Sequence, residues 1–114
     1  MKLDLPWPPK ELSPNARVHW AKLSHVKKKY KNDCMWICKG AKINHAVHNY
    51  VFVMLHIKFC PPDKRLRDTD NCIASFKAGQ DGLAEALGVN AKIFNNSYEI
   101  GQAVKHGKVE VTIS

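Results

Sequence analysis

The chain has no run of 18 apolar residues, so its sequence contains no membrane-spanning helix. Its opening Met-Lys-Leu-Asp-Leu-Pro-Trp lacks the apolar stretch of a secretory signal, and the expectation is a cytoplasmic protein. It has no Cys-x-x-Cys pair, which removes the structural zinc patterns built on that spacing. Cys34, Cys38, Cys60 and Cys72 are then expected to be reduced thiols, with Cys34 and Cys38 four apart on one helical face as small buried hydrophobes. Repeats and low-complexity tracts are absent too. With 45% apolar and 25% charged residues the composition speaks against disorder, and 114 residues suit one core, hence a single domain over 1–114.

Acidic residues are also scarce: 10 Asp/Glu stand against 18 Lys/Arg, a formal charge of +8. The imbalance is local. Residues 1–67 carry 14 Lys/Arg and 4 Asp/Glu, whereas residues 68–114 carry 4 and 6. A basic stretch joined to an acidic one suits a polyanion-binding surface beside a carboxylate site, or simply a solvated lysine-rich surface.

The patterning predicts an α+β fold in the order β-α-β-α-β-β, two helices on a mixed sheet. Residues 2–7 alternate as a short strand ended by prolines, and residues 6–12 form a rigid connector. Ser13-Pro14 reads as an N-cap with proline at the first helical position. The helix after it carries Val18, Ala21, Val26, Tyr30, Cys34, Ile37, Cys38 and Ala41 as its apolar stripe and ends near Gly40. Its outer face carries Arg17, Lys22, Lys27, Lys28, Lys29 and Lys31, a set that either tracks a phosphate backbone or is merely solvated. Residues 50–60 are the clearest strand, with Val51, Val53, Leu55, Ile57 and Phe59 on one face, and Pro61-Pro62 stops it. A second helix is expected from about Asn71 to Leu87, capped by Gly88. Short strands at 98–100 and 108–113, turning at His106-Gly107, complete the domain.

Chemistry concentrates at Arg67-Asp68-Thr69-Asp70-Asn71, between the core strand and the second helix. In an extended loop, residues two apart face the same way, roughly 7 Å apart at Cα. Asp68 and Asp70 so placed can share a divalent ion such as Mg2+, which takes one or two carboxylates plus water and phosphate oxygens. The same residues also make a good helix cap, though only one aspartate can be the N-cap. Lys77 lies seven residues beyond Asp70, two turns up the same helix face and about 10 Å higher, where its side chain can reach a phosphate. Lys64, Arg65 and Arg67 can hold flanking phosphates. Asp81 and Glu85 form an i, i+4 acidic pair, roughly 16 Å along the axis from Asp70 in the case of Asp81, and read as solvated or as partners for basic groups. His45 and His48 carry a weak metal-binding pattern, while His19, His25, His56 and His106 form no evident cluster. Asn15 and Trp20 suit either nucleotide contact or a structural role.

Leu5-Pro6-Trp7-Pro8-Pro9, Pro61-Pro62-Asp63-Lys64-Arg65, the Asp68/Asp70 segment, Ala74-Ser75-Phe76-Lys77-Ala78-Gly79-Gln80-Asp81-Gly82-Leu83, Tyr98-Glu99-Ile100-Gly101 and Val109–Ile113 together resemble the RusA family of Holliday-junction resolvases, the phage-borne branch in particular. The resemblance spans essentially the whole chain. It implies a homodimeric, Mg2+-dependent endodeoxyribonuclease (Mn2+ substituting) that binds four-way junctions and nicks two opposing strands in DNA recombination and repair, in a bacterial or phage-infected cell. The family's aspartate pair maps onto Asp68 and Asp70 and its helix lysine onto Lys77. The family's further Asp-Asp pair after the second helix is replaced here by Asn90 and Ala91. That departure leaves three alternatives: a copy that binds junctions but cuts poorly, another acid such as Asp81 or Glu99 of the partner subunit in the missing place, or Asp68 and Asp70 sufficing with water and phosphate. The functions open to the chain are accordingly an active nuclease, a non-catalytic junction-binding protein, and a small basic binding domain whose Asp68 and Asp70 only cap.

Overall fold

Strict alternation decides the sheet. In β2 (Val53–Cys60), Val53, Leu55, Ile57 and Phe59 are fully buried, while Met54, His56 and Lys58 face the other way. β1 (Lys2–Pro6) and β4 (Lys108–Ile113) repeat the pattern with Leu3 and Leu5, and with Val109, Val111 and Ile113. The computed structural model describes residues 2–41 and 52–113. Over those residues the strand order is β1-β4-β2-β3, with β3 at Phe94–Ile100. β2 and β3 are parallel and the other pairs antiparallel, so the sheet is mixed. Helices α1 (Trp20–Gly40) and α2 (Thr69–Leu87) both cover the apolar face. The order β-α-β-α-β-β and the α+β class hold.

Several boundaries differ from expectation. α1 starts at Trp20 rather than after Ser13, with His19 as N-cap, its Nδ1 accepting from the Ala21 N–H at 3.2 Å. Residues 10–12 form a 3-10 turn that buries Leu12, and the Ser13 carbonyl accepts from the Ala16 N–H at 3.0 Å. Ser13-Pro14 therefore begins a turn of its own, and residues 14–17 are exposed, with no packing to hold a helical turn. The core stripe of α1 shifts accordingly: Tyr30, Cys34, Met35 and Cys38 are buried and Leu23 and Val26 pack against them, while Ala21, Ile37 and Ala41 are exposed. Burial pushes the Cys34 thiol up to about 12, which fits an inert core residue. β3 begins at Phe94, four residues before the strand expected at 98–100. Its Asn95-Asn96-Ser97 run has no apolar alternation because β3 is, among the described residues, an edge strand paired only with β2. Gly88 caps α2 at φ 70°, and His106 and Gly107 turn at φ 67° and 69°. His45 and His48, with Tyr50 and Val51 of the expected strand, lie outside the described residues.

The helices meet backbone to backbone at Gly82. A Cβ there would sit on the Lys31 carbonyl oxygen and 3.1 Å from the Met35 nitrogen. Gly40 has open space around it. Gly82→Ala is expected to destabilise the fold by about 1–3 kcal/mol through overpacking against backbone, and Gly40→Ala to stabilise it by up to about 1 kcal/mol. Urea unfolding of both variants checks the opposite signs.

Candidate functional site

Where β2 ends at Pro61-Pro62 the chain must turn back to begin α2, and Asp63 organises that turn. Its carboxylate accepts the Arg65 N–H at 3.0 Å and the Arg65 guanidinium at 3.2–3.3 Å, and also the Arg67 guanidinium at 3.1 Å. The hydrogen bonds from Arg65 hold the Asp63 carboxyl below the ordinary aspartate range. Arg67 is the more enclosed of the two arginines, its guanidinium lying 5.8 Å from the Trp7 ring centre. Trp7 in turn packs edge-on against Phe59 at 6.3 Å.

Asp68 is the N-cap of α2: its Oδ1 accepts from the Asp70 N–H at 2.9 Å. Asp70 therefore sits in the first helical turn and not in an extended loop, which corrects the geometry expected for the pair. A carboxylate so placed is favoured by the helix dipole. Helix geometry also starts α2 at Thr69, two residues before the expected Asn71.

A cleft of about 420 Å³ opens at this end of α2, walled by Trp7, Lys10, Phe59, Arg65, Arg67 and Asp68. Leu66 and Ser75 also reach it. A second groove, of about 540 Å³, runs between the two helices and gathers Lys27, Lys28, Lys31 and Lys77 with Asp81. Ser75 borders both. A third depression of about 450 Å³ holds Arg17 and Lys22 and shares Lys10 with the first. The basic residues singled out in the sequence thus line three adjoining concavities, apart from Lys64, which is exposed on the turn, and Lys29, which pairs with Asp33 at 3.0 Å. Two separations are as plain. Lys77 faces the interhelical groove rather than the cleft that Asp68 borders, and Asp70 projects from the exposed side of the first turn, outside the cleft lining.

A divalent cation would find two oxygen-donor side chains here. Asp68 Oδ2 and the Asp70 carboxylate have no hydrogen-bond or ion-pair partner among the described residues, while Oδ1 of Asp68 serves the cap. Such a set fits Mg2+, which completes its shell with water and phosphate oxygens. No group of three or more His, Cys, Asp or Glu side chains converges on a metal position among the described residues. Cys72 also borders the cleft, but burial raises its thiol, which opposes a nucleophilic role.

Some of the site lay outside the sequence reading. Trp7 and Lys10 come from the stretch read as connector, and both wall the cleft. The tandem of tryptophan with prolines was the available signal. On the opposite face of the sheet, His56 bonds Ser97 Oγ at 2.7 Å through Nδ1 and Glu99 at 2.8 Å through Nε2. That grouping follows from the parallel register of β2 on β3, which pairs His56 with Ser97 and Lys58 with Glu99. It had no signal in the linear order. Trp20 is 76% exposed and Asn15 exposed, so neither belongs to the core. Glu85 does pair a basic group, Lys31, at 3.0 Å.

Fold and site together define a small α+β domain with a cationic cleft built around a helix N-terminus. An uncharacterized protein of Xylella fastidiosa (strain Temecula1) is 39% identical to it, over 98% of this chain and 74% of the relative. The chain belongs to the family of that protein. No family model matches it. No helix among the described residues is long and apolar enough to cross a membrane.

The Asp63 clasp has a pH signature. Because the folded carboxyl is held low, its stabilising contribution is complete above the ordinary aspartate range and is lost as pH falls through the lowered value. The Arg65 amide proton, followed by NMR, is expected to titrate with a midpoint below that of an unstructured aspartate, and Asp63→Asn should abolish the transition.

Proposed function

We propose that this chain is a RusA-type endodeoxyribonuclease that, as a Mg2+-dependent homodimer, resolves Holliday junctions by paired strand nicking in recombination and repair. The observation that carries the reading is Asp68 at the rim of a cleft whose walls include Arg65, Arg67, Lys10 and Trp7, adjoining a groove that gathers four lysines with Asp81. A polyanion held across both concavities presents a phosphate to the Asp68/Asp70 end of α2. The resemblance described above supplies the substrate class and the dimer.

In this reading Asp68 and Asp70 would hold the metal ion, with Mn2+ able to replace Mg2+. When bound, the ion supplies activation of water and stabilisation of the leaving oxygen. The protein's own groups do the rest. Lys64, Arg65 and Lys10 neutralise phosphates flanking the scissile one, and Arg67, already clasped by Asp63 and Trp7, mainly fixes the shape of the turn. Lys27, Lys28 and Lys77 grip the backbone further along, and Arg17 extends the contact on the other side.

A second reading, a junction-binding protein that cuts poorly, is favoured by Asn90 and Ala91. Asn90 Oδ1 accepts from the Lys92 N–H at 2.9 Å as a cap, and Ala91 has no side-chain ligand atom. Both precede β3 at the Val53 end of β2, and β2 extends roughly 23 Å from there to the Cys60 end that leads into Asp68. In one subunit that stretch is remote from the aspartates, and a third carboxylate has to come from a partner subunit or be dispensed with.

A cleavage assay on a synthetic four-way junction separates the readings. With Mg2+ or Mn2+ the wild type is expected to nick opposing strands, and Asp70→Asn to slow nicking by about 100-fold or more with binding retained. Junction binding without nicking under either metal selects the impaired protein. Equal affinity for junction and duplex at matched salt removes both. Lys27→Ala with Lys28→Ala should flatten the log affinity against log salt plot by about two units of slope.

A further inference from the structure

We propose that Leu66 is a wedge that enters the interrupted base stack at the branch point of a four-way junction and so sets selectivity for junctions over duplex. The inference rests on the reading of the site as a junction-binding one and names the residue that recognises the branch. Leu66 is 101% exposed, the most exposed of the large apolar side chains among the described residues. A side chain left fully in water at a loop tip gains by entering an apolar environment. Its loop is held on both sides: Asp63 clasps Arg65 and Arg67, Arg67 lies against Trp7, and Asp68 is locked into the cap of α2. Leu66 therefore projects from a braced turn.

The surroundings select the partner. Lys64 has no carboxylate partner among the described residues and Arg65 stays largely exposed beside Asp63, while Arg67 is held in the turn. The cations next to Leu66 therefore suit a polyanion rather than an apolar protein patch. Nucleic acid offers phosphates for those cations and the flat apolar faces of bases for the leucine. Aliphatic side chains enter base steps at the cost of unstacking them, a cost that is least where stacking is already broken. Leu66 and Asp68 border one cleft two residues apart, at most about 7 Å in Cα span, so a leucine seated in the branch point holds the adjacent backbone beside the aspartates.

The test uses the full chain with a four-way junction and a duplex of the same arm sequence, in competition at one salt concentration. The junction carries 2-aminopurine at the branch point. Wild type is expected to prefer the junction and to brighten the probe on binding. Leu66→Ala is expected to lower the junction-to-duplex affinity ratio about tenfold, to leave duplex affinity within about twofold and to lose the fluorescence rise, while Leu66→Phe retains both. An unchanged ratio, or an equal loss on both DNAs, overturns the wedge. So does a change in self-association of Leu66→Ala without DNA, which would assign the leucine to a protein contact. Absence of junction preference in the wild type itself overturns the functional reading and the wedge with it, and is seen before any variant is compared.

Discussion

The contact on which the remainder depends is the approach of α1 to α2 at Gly82, where the Lys31 carbonyl occupies the space a side chain would need. Helices that close can share a core of ring edges. Tyr30 meets Phe76 at 6.4 Å, Phe76 meets Phe59 at 6.0 Å, and Phe59 meets Trp7 at 6.3 Å. The Tyr30 hydroxyl donates to the Pro6 carbonyl at 2.6 Å, tying α1 to the end of β1 beside Trp7. One packed series thus runs from the helix pair to the cleft wall. The same approach brings Lys27, Lys28 and Lys31 of one helix opposite Lys77 of the other. Close packing, not attraction between these groups, creates the cationic groove.

The few acids are deployed to make that groove matter. On the sheet face opposite the helices Glu110 takes Lys2 at 3.4 Å and Lys108 at 2.8 Å, and Lys108 also reaches Asp4 at 3.9 Å. Glu99 takes His56 there, and the imidazole holds its carboxyl low. Lys10, Lys27, Lys28, Lys64 and Lys77 have no carboxylate within ion-pair distance among the described residues. Much of the excess positive charge accordingly lies at the cleft and the helix pair. Exposed pairs of this kind add little stability; their consequence is where they leave the field uncompensated.

How much of this was legible follows from the range of each signal. The alternation of Val53, Leu55, Ile57 and Phe59 identified β2 because period two is a property of neighbouring residues. Gly88 marked the end of α2 for the same local reason. Asn95-Asn96-Ser97 concealed the first half of β3, since an edge strand held by backbone pairing needs little apolar pattern. The start of α1 was misplaced because Ser13-Pro14 is as good an opening for a turn as for a helix, and only the exposure of residues 14–17 decides between them. Asp68 and Asp70 were singled out by residue type and position. The loop that was to present them extended is instead the first turn of a helix, and the clasp of Asp63 on two arginines, like Trp7 beneath Arg67, depends on tertiary contacts.

The cap and the metal-ligand readings of Asp68 first stood as alternatives, and the structure makes them compatible. Capping engages one carboxylate oxygen with the Asp70 N–H and fixes the side chain's rotamer. The second oxygen is left outward without a protein partner among the described residues. A ligand already fixed by a cap loses little conformational entropy on meeting a cation, whereas a freely rotating aspartate must be ordered at that step. The helix N-terminus works in the other direction: its partial positive charge stabilises both carboxylates without any cation, which weakens their need for one. Ion affinity in a site so arranged comes chiefly from a third anionic contributor. Under the proposed nuclease reading, in a chain that offers Asn90 and Ala91 after α2, a nucleic-acid phosphate would be that contributor.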